Sequence, residues 1–220
     1  MSYSLHLTET HLIRSASVNI YALYDEMRDY IDLQGEEGIH TIFLNSNGIK
    51  QFVCDGTVLL DEEKRCRIQK LLRKLSWIHL NENEIEVLDF QLLNRELACV
   101  QYLNLSHNML SALINAGTSG FANIKVLDLS FNQLTNLHGI SKCFNLRELL
   151  VDHNGLTCIE SLKDVFQLSE LVTLDFRDNQ ISESEATVIF HKMVTHCPKL
   201  SFLNGTLMKT QINLKTKRRG

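Results

Sequence analysis

The sequence is poor in the residues that interrupt, cross-link or anchor a chain. It has one proline among 220 residues, and no apolar run of about 18 residues that could cross a membrane as a helix. Its start, Met1 to Arg14, lacks the apolar stretch with basic flanks of a secretion signal. Its six cysteines lie far apart, without the close pairs of a disulfide framework. We therefore expect a reduced compartment, cytoplasmic and/or nuclear, and no membrane span.

What the sequence does contain is an eleven-residue frame, LxxLxLxxNxL, that occurs six times, starting at residues 39, 75, 100, 124, 146 and 171. One copy runs from Leu75 to Ile85 and another from Ile124 to Leu134. A frame that recurs every roughly 20 to 29 residues is typical of a solenoid in which each repeat adds one short strand. The ninth position is asparagine in every copy: Asn47, Asn83, Asn108, Asn132, Asn154 and Asn179.

This frame resembles the leucine-rich repeat. The resemblance implies an α/β solenoid, a right-handed horseshoe whose concave face is a parallel sheet of about eight strands. It also implies helices on the convex side of the N-terminal repeats and short turns in the later ones. Extracellular members of this family usually close their ends with clustered cysteines, so the scattered cysteines of this chain favour an intracellular member.

The first two units are longer than the later ones. Successive frames start 36, 25, 24, 22 and 25 residues apart, and a degenerate copy that contains Leu5 and Leu7 precedes the first by 37 residues. Apolar residues at helical spacing predict convex helices near residues 18–33 and 61–74 of the long units. The shorter units have room only for a turn, such as a 3₁₀ turn at residues 137–140.

The end of the repeat array has a different pattern. Ser182 and Glu185 have the spacing of a helix-capping box, apolar residues continue at helical spacing towards Pro198, and a last strand begins at Leu200. This ending resembles the C-terminal cap of the short intracellular leucine-rich repeat class. That class includes the protein phosphatase 1 regulatory subunit, the U2 snRNP A-prime protein, acidic nuclear phosphoproteins, tubulin cofactors and axonemal dynein light chains. The resemblance covers about residues 39–205.

The predicted organisation is one leucine-rich repeat domain, residues 1–208, followed by a basic tail, residues 209–220. Within the domain we expect a degenerate first repeat with a helix (1–38), six repeats (39–181) and the C-terminal cap (182–205). No single repeat can bury its own apolar face, so positions 1, 4, 6 and 11 should stack against the next repeat. The six asparagines should turn their amides inward and form a hydrogen-bonded ladder, which is a structural role.

Positions 3, 5, 7 and 8 are left for the exposed concave face. Aromatic side chains are concentrated in its N-terminal half and acidic ones in its C-terminal half, where an arginine interrupts them. Exposed aromatic residues beside charges are typical of protein interfaces. The candidate partner-binding residues are Phe43, Trp77, His79, Tyr102, Asp128, Glu148, Asp152, Asp175 and Arg177. Alternatively, Trp77 and Tyr102 only cover each other or are covered by a loop.

The sequence offers little for catalysis or for binding a metal. His79, His107 and His153 could approach acids, but no nucleophile lies in a matching frame, and a shallow sheet excludes little water. His191 and His196 are five residues apart on a predicted helix, which is not the spacing that puts two ligands on one face. We therefore predict no catalytic residues, no metal and no cofactor.

The charge of the chain is divided unequally. The net charge is −4, yet the last 35 residues hold seven Lys or Arg and no Asp or Glu, so the preceding 185 carry −11. The basic tail contains Lys209, Lys215, Lys217, Arg218 and Arg219. Such a tail is either a solvated end or a contact for phosphates.

These observations predict a monomeric, non-catalytic adaptor or regulatory subunit that binds a protein partner with a basic patch on its concave face. The alternative is a protein associated with nucleic acid or ribonucleoprotein through the basic tail. The acidic concave face would repel RNA, so an RNA or cytoskeletal association would be indirect. The tail could also fold back onto the acidic side chains.

Overall fold

The computed structural model describes residues 3–6, 17–23, 39–53, 61–90, 95–116 and 122–208. Its helices are α1 (Glu62–Leu72) and α2 (Glu183–His196), with 3₁₀ segments at Ile20–Leu23, Ile140–Lys142 and Ile159–Gln167. Its strands are β1 (Tyr3–His6), β2 (Ser17–Asn19), β3 (Ile39–Phe43), β4 (Gln51–Val53), β5 (Trp77–His79), β6 (Tyr102–Asn104), β7 (Val126–Asp128), β8 (Glu148–Leu150), β9 (Thr173–Asp175), β10 (Phe202–Leu203) and β11 (Thr206–Leu207).

Nine strands of the described residues form the main sheet, in the order β1-β3-β5-β6-β7-β8-β9-β10-β11. All neighbours are parallel except β10 and β11. The prediction of about eight parallel strands is therefore confirmed. The degenerate first copy is in the predicted register as well, because Leu5 is paired with Ile42, the fourth position of the next frame.

The register aligns equal frame positions in successive strands, and this alignment builds the core. Leu103 is paired with Leu127, and Leu127 with Leu149, so the fourth positions stack in one line. Each is at most 1% exposed. Burying such a side chain contributes roughly 1.5–3 kcal/mol, but only when a neighbouring repeat covers it. The solenoid is therefore stabilised by contacts between repeats rather than within them.

Asparagines at the ninth position satisfy the backbone where each strand ends. The Asn108 amide group donates to the carbonyl oxygens of Leu80 and Leu105 at 2.9 and 3.0 Å. Its side-chain oxygen accepts the N–H of Ile85 at 2.9 Å, so one side chain joins two repeats. Leaving such buried groups unpaired costs about 1–3 kcal/mol each. The same two-repeat pattern is found at Asn83, Asn132, Asn154 and Asn179.

The predicted helix near residues 61–74 is present as α1. Asp61 caps it, since its carboxylate accepts the N–H groups of Glu63 and Lys64 at 2.9 and 3.1 Å. Acidic residues in the first turn and Lys70 in the last suit the helix dipole. Ile68 and Leu72 are buried against the core.

The prediction of a helix near residues 18–33 is wrong where the structure describes it. Residues 17–19 form β2, which is parallel to β4, and a 3₁₀ segment follows to residue 23. Val18 and Phe52 are paired across these strands and are each 4% exposed, so burial of both favours the extended form. Residues 24–38, which carry the rest of the predicted helix, lie outside the described residues.

Helix α2 covers the last repeats, as expected for a cap. Ser182 accepts the N–H of Glu185 at 3.3 Å. The Glu185 carboxylate does not complete a capping box; it accepts the N–H of Ile159 at 2.9 Å instead, and thereby links the cap to the nine-residue 3₁₀ segment of the preceding unit. Ile189 and Met193 are fully buried. The cap is thus fixed to the array by polar and apolar contacts.

A hairpin that the sequence analysis did not predict follows α2. Asn204 and Gly205 join β10 to the antiparallel β11, and both have positive φ, 52° and 72°. Asn-Gly is the favoured pair for a two-residue hairpin turn because both residues tolerate this conformation. Asn204 is therefore a turn residue, and its side-chain oxygen also accepts the N–H of Phe176 at 2.9 Å.

Candidate partner-binding surface

Positions 3 and 5 of each frame lie on the concave side, because side chains alternate along a strand and position 4 faces the core. Trp77 is paired directly with Tyr102, and Tyr102 with Val126. Neighbouring strands are about 4.8 Å apart, so side chains at equal positions of adjacent strands contact each other. The concave face therefore consists of rows of side chains that cross the strands.

Five rings of the described residues stack in the N-terminal half of this face. The ring centroids of His6 and Phe43 are 4.3 Å apart, and those of Phe43 and His79 are 4.4 Å apart. Tyr102 lies 5.0 Å from His79 and 4.5 Å from Trp77. We call these five residues the aromatic stack. Ring contacts at such distances are worth about 0.5–1.5 kcal/mol beyond area burial, so the stack holds its own side chains in position.

Stacking does not cover the tryptophan. Trp77 remains 46% exposed, whereas Phe43, His79 and Tyr102 are half-buried. Burial, and then the nearby His6, lower the pKa of His79 below its ordinary value, which favours the neutral form of this ring. The stack therefore presents a rigid, largely uncharged surface with one large ring accessible to solvent.

The four aromatic residues predicted from the sequence are thus brought together, and His6 joins them. Sequence reasoning missed His6, although the degenerate first copy places it at position 5, in line with Phe43 and His79. Applying the frame to the degenerate first copy would have predicted that His6 lies beside Phe43.

The predicted acidic residues lie on β7, β8, β9 and the turns that follow them. We call Asp128, Glu148, Asp152, Asp175 and Asp178 the acidic patch. Its members differ in availability: Asp128 and Glu148 are half-buried, whereas Asp175 is only 7% exposed.

Arg177 neutralises one of these carboxylates. Its Nε and Nη2 atoms donate to Asp175 at 3.0 and 2.6 Å. These hydrogen bonds raise the pKa of Arg177 above its ordinary value. Asp175 and Arg177 therefore bind each other inside the face, and the charge that the patch offers to a partner comes mainly from the other members.

Asp152 is held by polar neighbours. The Ser130 hydroxyl lies 2.6 Å from Asp152 and 2.7 Å from Asp128, and its single proton can serve only one of these carboxylates at a time. Nδ1 of His153 lies 2.9 Å from the other Asp152 oxygen. Burial alone would raise the pKa of Asp152, but the hydrogen bonds with Ser130 and His153 outweigh it and lower the pKa.

A second row of stacked rings follows position 8. Phe131 lies between His107 and His153, with centroid distances of 4.1 and 4.0 Å and nearly parallel planes. All frame residues at position 8 have φ between 51° and 58°, a left-handed conformation unusual for residues with a side chain. Phe131 is 40% exposed. Their position in the frame predicts that these residues lie on the face, but it does not predict that they contact each other.

The described residues contain no group of three or more His, Cys, Asp or Glu side chains placed to hold a metal ion. Across the same residues, no helix has both the length and the apolar character needed to cross a lipid bilayer. The predicted basic tail, with Lys209, Lys215, Lys217, Arg218 and Arg219, lies outside the described residues.

Comparison with known proteins agrees with this architecture. The leucine rich repeat family model matches residues 73–134. Geranylgeranyl transferase type-2 subunit alpha of Mus musculus is 33% identical over 108 residues, which is 49% of this chain and 18% of the relative. Centrosomal protein of 72 kDa, also from Mus musculus, is 33% identical over 117 residues, 50% of this chain and 17% of the relative. Lumican of Bos taurus is 25% identical over 164 residues, 64% and 46% of the two chains. Each match spans less than half of the curated relative.

Two solved structures share the fold. An internalin from Listeria monocytogenes superposes with a TM-score of 0.53 at 16% identity, covering 92% of this chain and 60% of the internalin. TLR13, in the complex TLR13-ssRNA13, superposes with a TM-score of 0.51 at 26% identity, covering 61% of this chain and 18% of TLR13. The frame, the parallel sheet and these likenesses define the structure as a leucine-rich repeat solenoid. Proteins with this repeat commonly mediate protein–protein interaction.

Proposed function

We propose that this chain is a non-catalytic adaptor or regulatory subunit that captures a protein partner on its concave face. The observation that supports this proposal most strongly is the aromatic stack. Trp77 is the only tryptophan of the sequence, and it remains 46% exposed although its ring lies on Tyr102. A large ring held rigidly by its neighbours loses little side-chain entropy on binding, which is why Trp and Tyr dominate interface energetics.

The acidic patch supports a partner with a basic surface. Its carboxylates lie on β7 to β9 and in the turns that follow these strands. The patch begins directly beside the aromatic stack, because β6 and β7 are neighbours in the sheet. Charges at the border of an interface steer the approach of the opposite charge and raise the association rate more than the affinity. The proposal therefore assigns affinity to the rings and steering to the carboxylates.

The test is a capture experiment with the full-length chain as bait and extract of its native cells as source. Trp77→Ala and Tyr102→Ala should each reduce the retained partner at least tenfold, which corresponds to about 1.4 kcal/mol. Phe144→Ala is the matched control, since Phe144 is 57% exposed but lies outside the strands. Equal capture by all three variants would contradict the proposal.

The alternative, association with nucleic acid through the basic tail, is supported by the five Lys and Arg residues among residues 209–220. In that case Lys215→Glu with Arg218→Glu should abolish capture of RNA, and binding should weaken steeply with salt. The concave variants Trp77→Ala and Tyr102→Ala should then have no effect. Capture that depends on the tail alone would favour the alternative over the adaptor.

A further inference from the structure

Where the aromatic stack meets the acidic patch, a short side chain lies between two longer ones. Val126 lies between Tyr102 on one side and Glu148 on the other, since it is paired with both across the sheet. Asp128 is two residues further along the same strand and therefore on the same face. We call these four residues the Tyr102 notch. Its floor is a short apolar side chain, and its walls are one ring and two carboxylates.

All four residues of the notch are half-buried. The Tyr102 ring contacts two rings of the neighbouring strand β5: it stacks on Trp77 at 4.5 Å and lies tilted against His79 at 5.0 Å. Burial, and next the charge of Asp128, raise the pKa of Tyr102, and Glu148 adds to this effect. Both carboxylates therefore lie within electrostatic range of the phenol. The notch presents a neutral ring face beside two negative charges.

The charges of the notch are not neutralised within the part of the chain that the structure describes. There, no Lys or Arg makes an ion pair with Asp128 or Glu148, although Arg177 does so with the nearby Asp175. Asp128 also shares the single hydroxyl proton of Ser130 with Asp152. A donor with positive charge is the group that this arrangement lacks.

We propose that the Tyr102 notch receives an arginine side chain from an apolar-flanked segment of a protein partner. This inference deepens the proposed function and rests on it. The guanidinium group is planar and carries five N–H donors, so it can stack on a Tyr ring and bind two carboxylates at once. Its aliphatic stem suits the Val126 floor. The exposed ring of Trp77, next to Tyr102 in the same row, takes the apolar neighbour of the arginine.

Arginine fits this notch better than lysine. The ammonium group of lysine is a compact, strongly hydrated charge that cannot stack as a plane on a ring. The same face already contains one arginine–carboxylate pair of the two-donor kind, because Nε and Nη2 of Arg177 both donate to Asp175. Nucleic acid is excluded as occupant by the charge of the walls, which would repel phosphates.

The probe for the experiment is a random twelve-residue peptide library displayed on phage and selected on the immobilised full-length chain. We expect the selected peptides to be enriched in arginine at least threefold over the library, and more than in lysine, with an apolar residue nearby. Replacing that arginine by citrulline, which is similar in shape but uncharged, should weaken a selected peptide at least tenfold. Replacement by lysine should weaken it about threefold.

Variants of the chain locate the contact. Asp128→Asn with Glu148→Gln should abolish the arginine enrichment and lower the affinity of a selected peptide at least tenfold. Glu86→Gln with Glu160→Gln is the matched control, since it also removes two negative charges, but from exposed residues outside the strands. This control should bind like the wild type.

The outcomes separate the two proposals. If peptides are selected and require Trp77 but lack arginine enrichment, or prefer lysine equally, the notch assignment is wrong while concave-face binding stands. If no selected peptide depends on Trp77, concave-face binding itself is wrong. If the Lys215→Glu/Arg218→Glu variant selects peptides and the wild type does not, the basic tail of the wild type occupies the notch and blocks it. That result overturns the assignment of the notch to a partner.

Discussion

The two halves of the concave sheet hold their side chains in different ways. In the N-terminal half, rings from neighbouring strands support one another, and Trp77 stays exposed on Tyr102. In the C-terminal half, carboxylates are held by partners within the protein, as Asp175 is by Arg177. Rings that stack on each other can still contact a partner. A carboxylate that binds an internal partner, in contrast, has less negative charge left to attract an outside one. Under the proposed function, the aromatic half would hold the partner, and the acidic half would attract it at long range with limited strength.

The largest effect expected concerns the end of the acidic half. Leu171 and Leu174 are fully buried although their repeat is the last complete one, because residues 182–208 cover them. A chain ending at Asn179 should lose cooperative thermal unfolding and become insoluble or molten, whereas one ending at Met208 should melt like the full chain. Circular dichroism melting and solubility provide the measurement. A soluble fragment 1–179 with a sharp transition would show that the acidic half needs no cap.

The second effect concerns the ladder beneath both halves. Asn132→Ala should destabilise the fold by about 1–3 kcal/mol, because the carbonyls of Leu105 and Leu129 and the N–H of Leu110 lose their partner. Asn81→Ala is the matched control, since its side chain makes only one long contact, 3.4 Å to Glu82. Denaturant unfolding measures both. Equal losses of unfolding free energy would contradict the frame.

A smaller effect is expected for the ion pair in the acidic half. Arg177→Gln should cost no more than about 1 kcal/mol of stability, because the Arg177 side chain is 56% exposed, although Asp175 is nearly buried. Lys199→Gln, which breaks the more exposed pair with Glu170, should cost less. Arg177→Gln should also speed binding of a cationic partner, because it unmasks a carboxylate. An unchanged association rate would show that Asp175 is not available even without its arginine.

The smallest effect is a pH dependence. The pKa of Asp152 is lowered in the folded protein by hydrogen bonds with Ser130 and His153 that outweigh burial. A carboxyl whose folded pKa lies below its unfolded value stabilises the fold above that unfolded value, and this contribution is lost as the pH falls through the folded pKa. Unfolding free energy measured from about pH 6 to pH 3 should fall less in Asp152→Asn than in the wild type. Parallel curves would contradict this role.

The sequence predicted the parts of the fold that depend on periodicity. Leucines at fixed spacing predicted the strand register, the inward faces and the last helix, because each depends on which residues must be buried. Helix α1 was predicted by its acidic start and apolar spacing. The prediction of a helix near residues 18–33 was wrong at Val18. This residue is buried in a strand that pairs with Phe52, 34 residues later in the chain, and such a distant pairing has no local sequence signature.

The candidate surface was predictable as a set of residues but not as a set of contacts. The frame placed Phe43, His79 and Tyr102 on one face. In the structure, His79 contacts both of the other two rings. It did not predict that Arg177 would bind Asp175, nor that Phe131 would lie between two imidazoles. Those contacts depend on rotamers and on the left-handed backbone at position 8. Glycine would be the usual signal for that backbone, but it does not occupy position 8 in any of the six copies.

The central claim, that the rings hold a partner and the carboxylates steer it, is tested most directly by the binding kinetics of a captured partner. Surface plasmon resonance should show that Trp77→Ala raises the dissociation rate at least tenfold and leaves the association rate within about twofold of the wild type. Asp128→Lys should lower the association rate, less so at high salt, with little change in dissociation. The reverse assignment, in which Trp77→Ala slows association and Asp128→Lys speeds dissociation, would contradict the account.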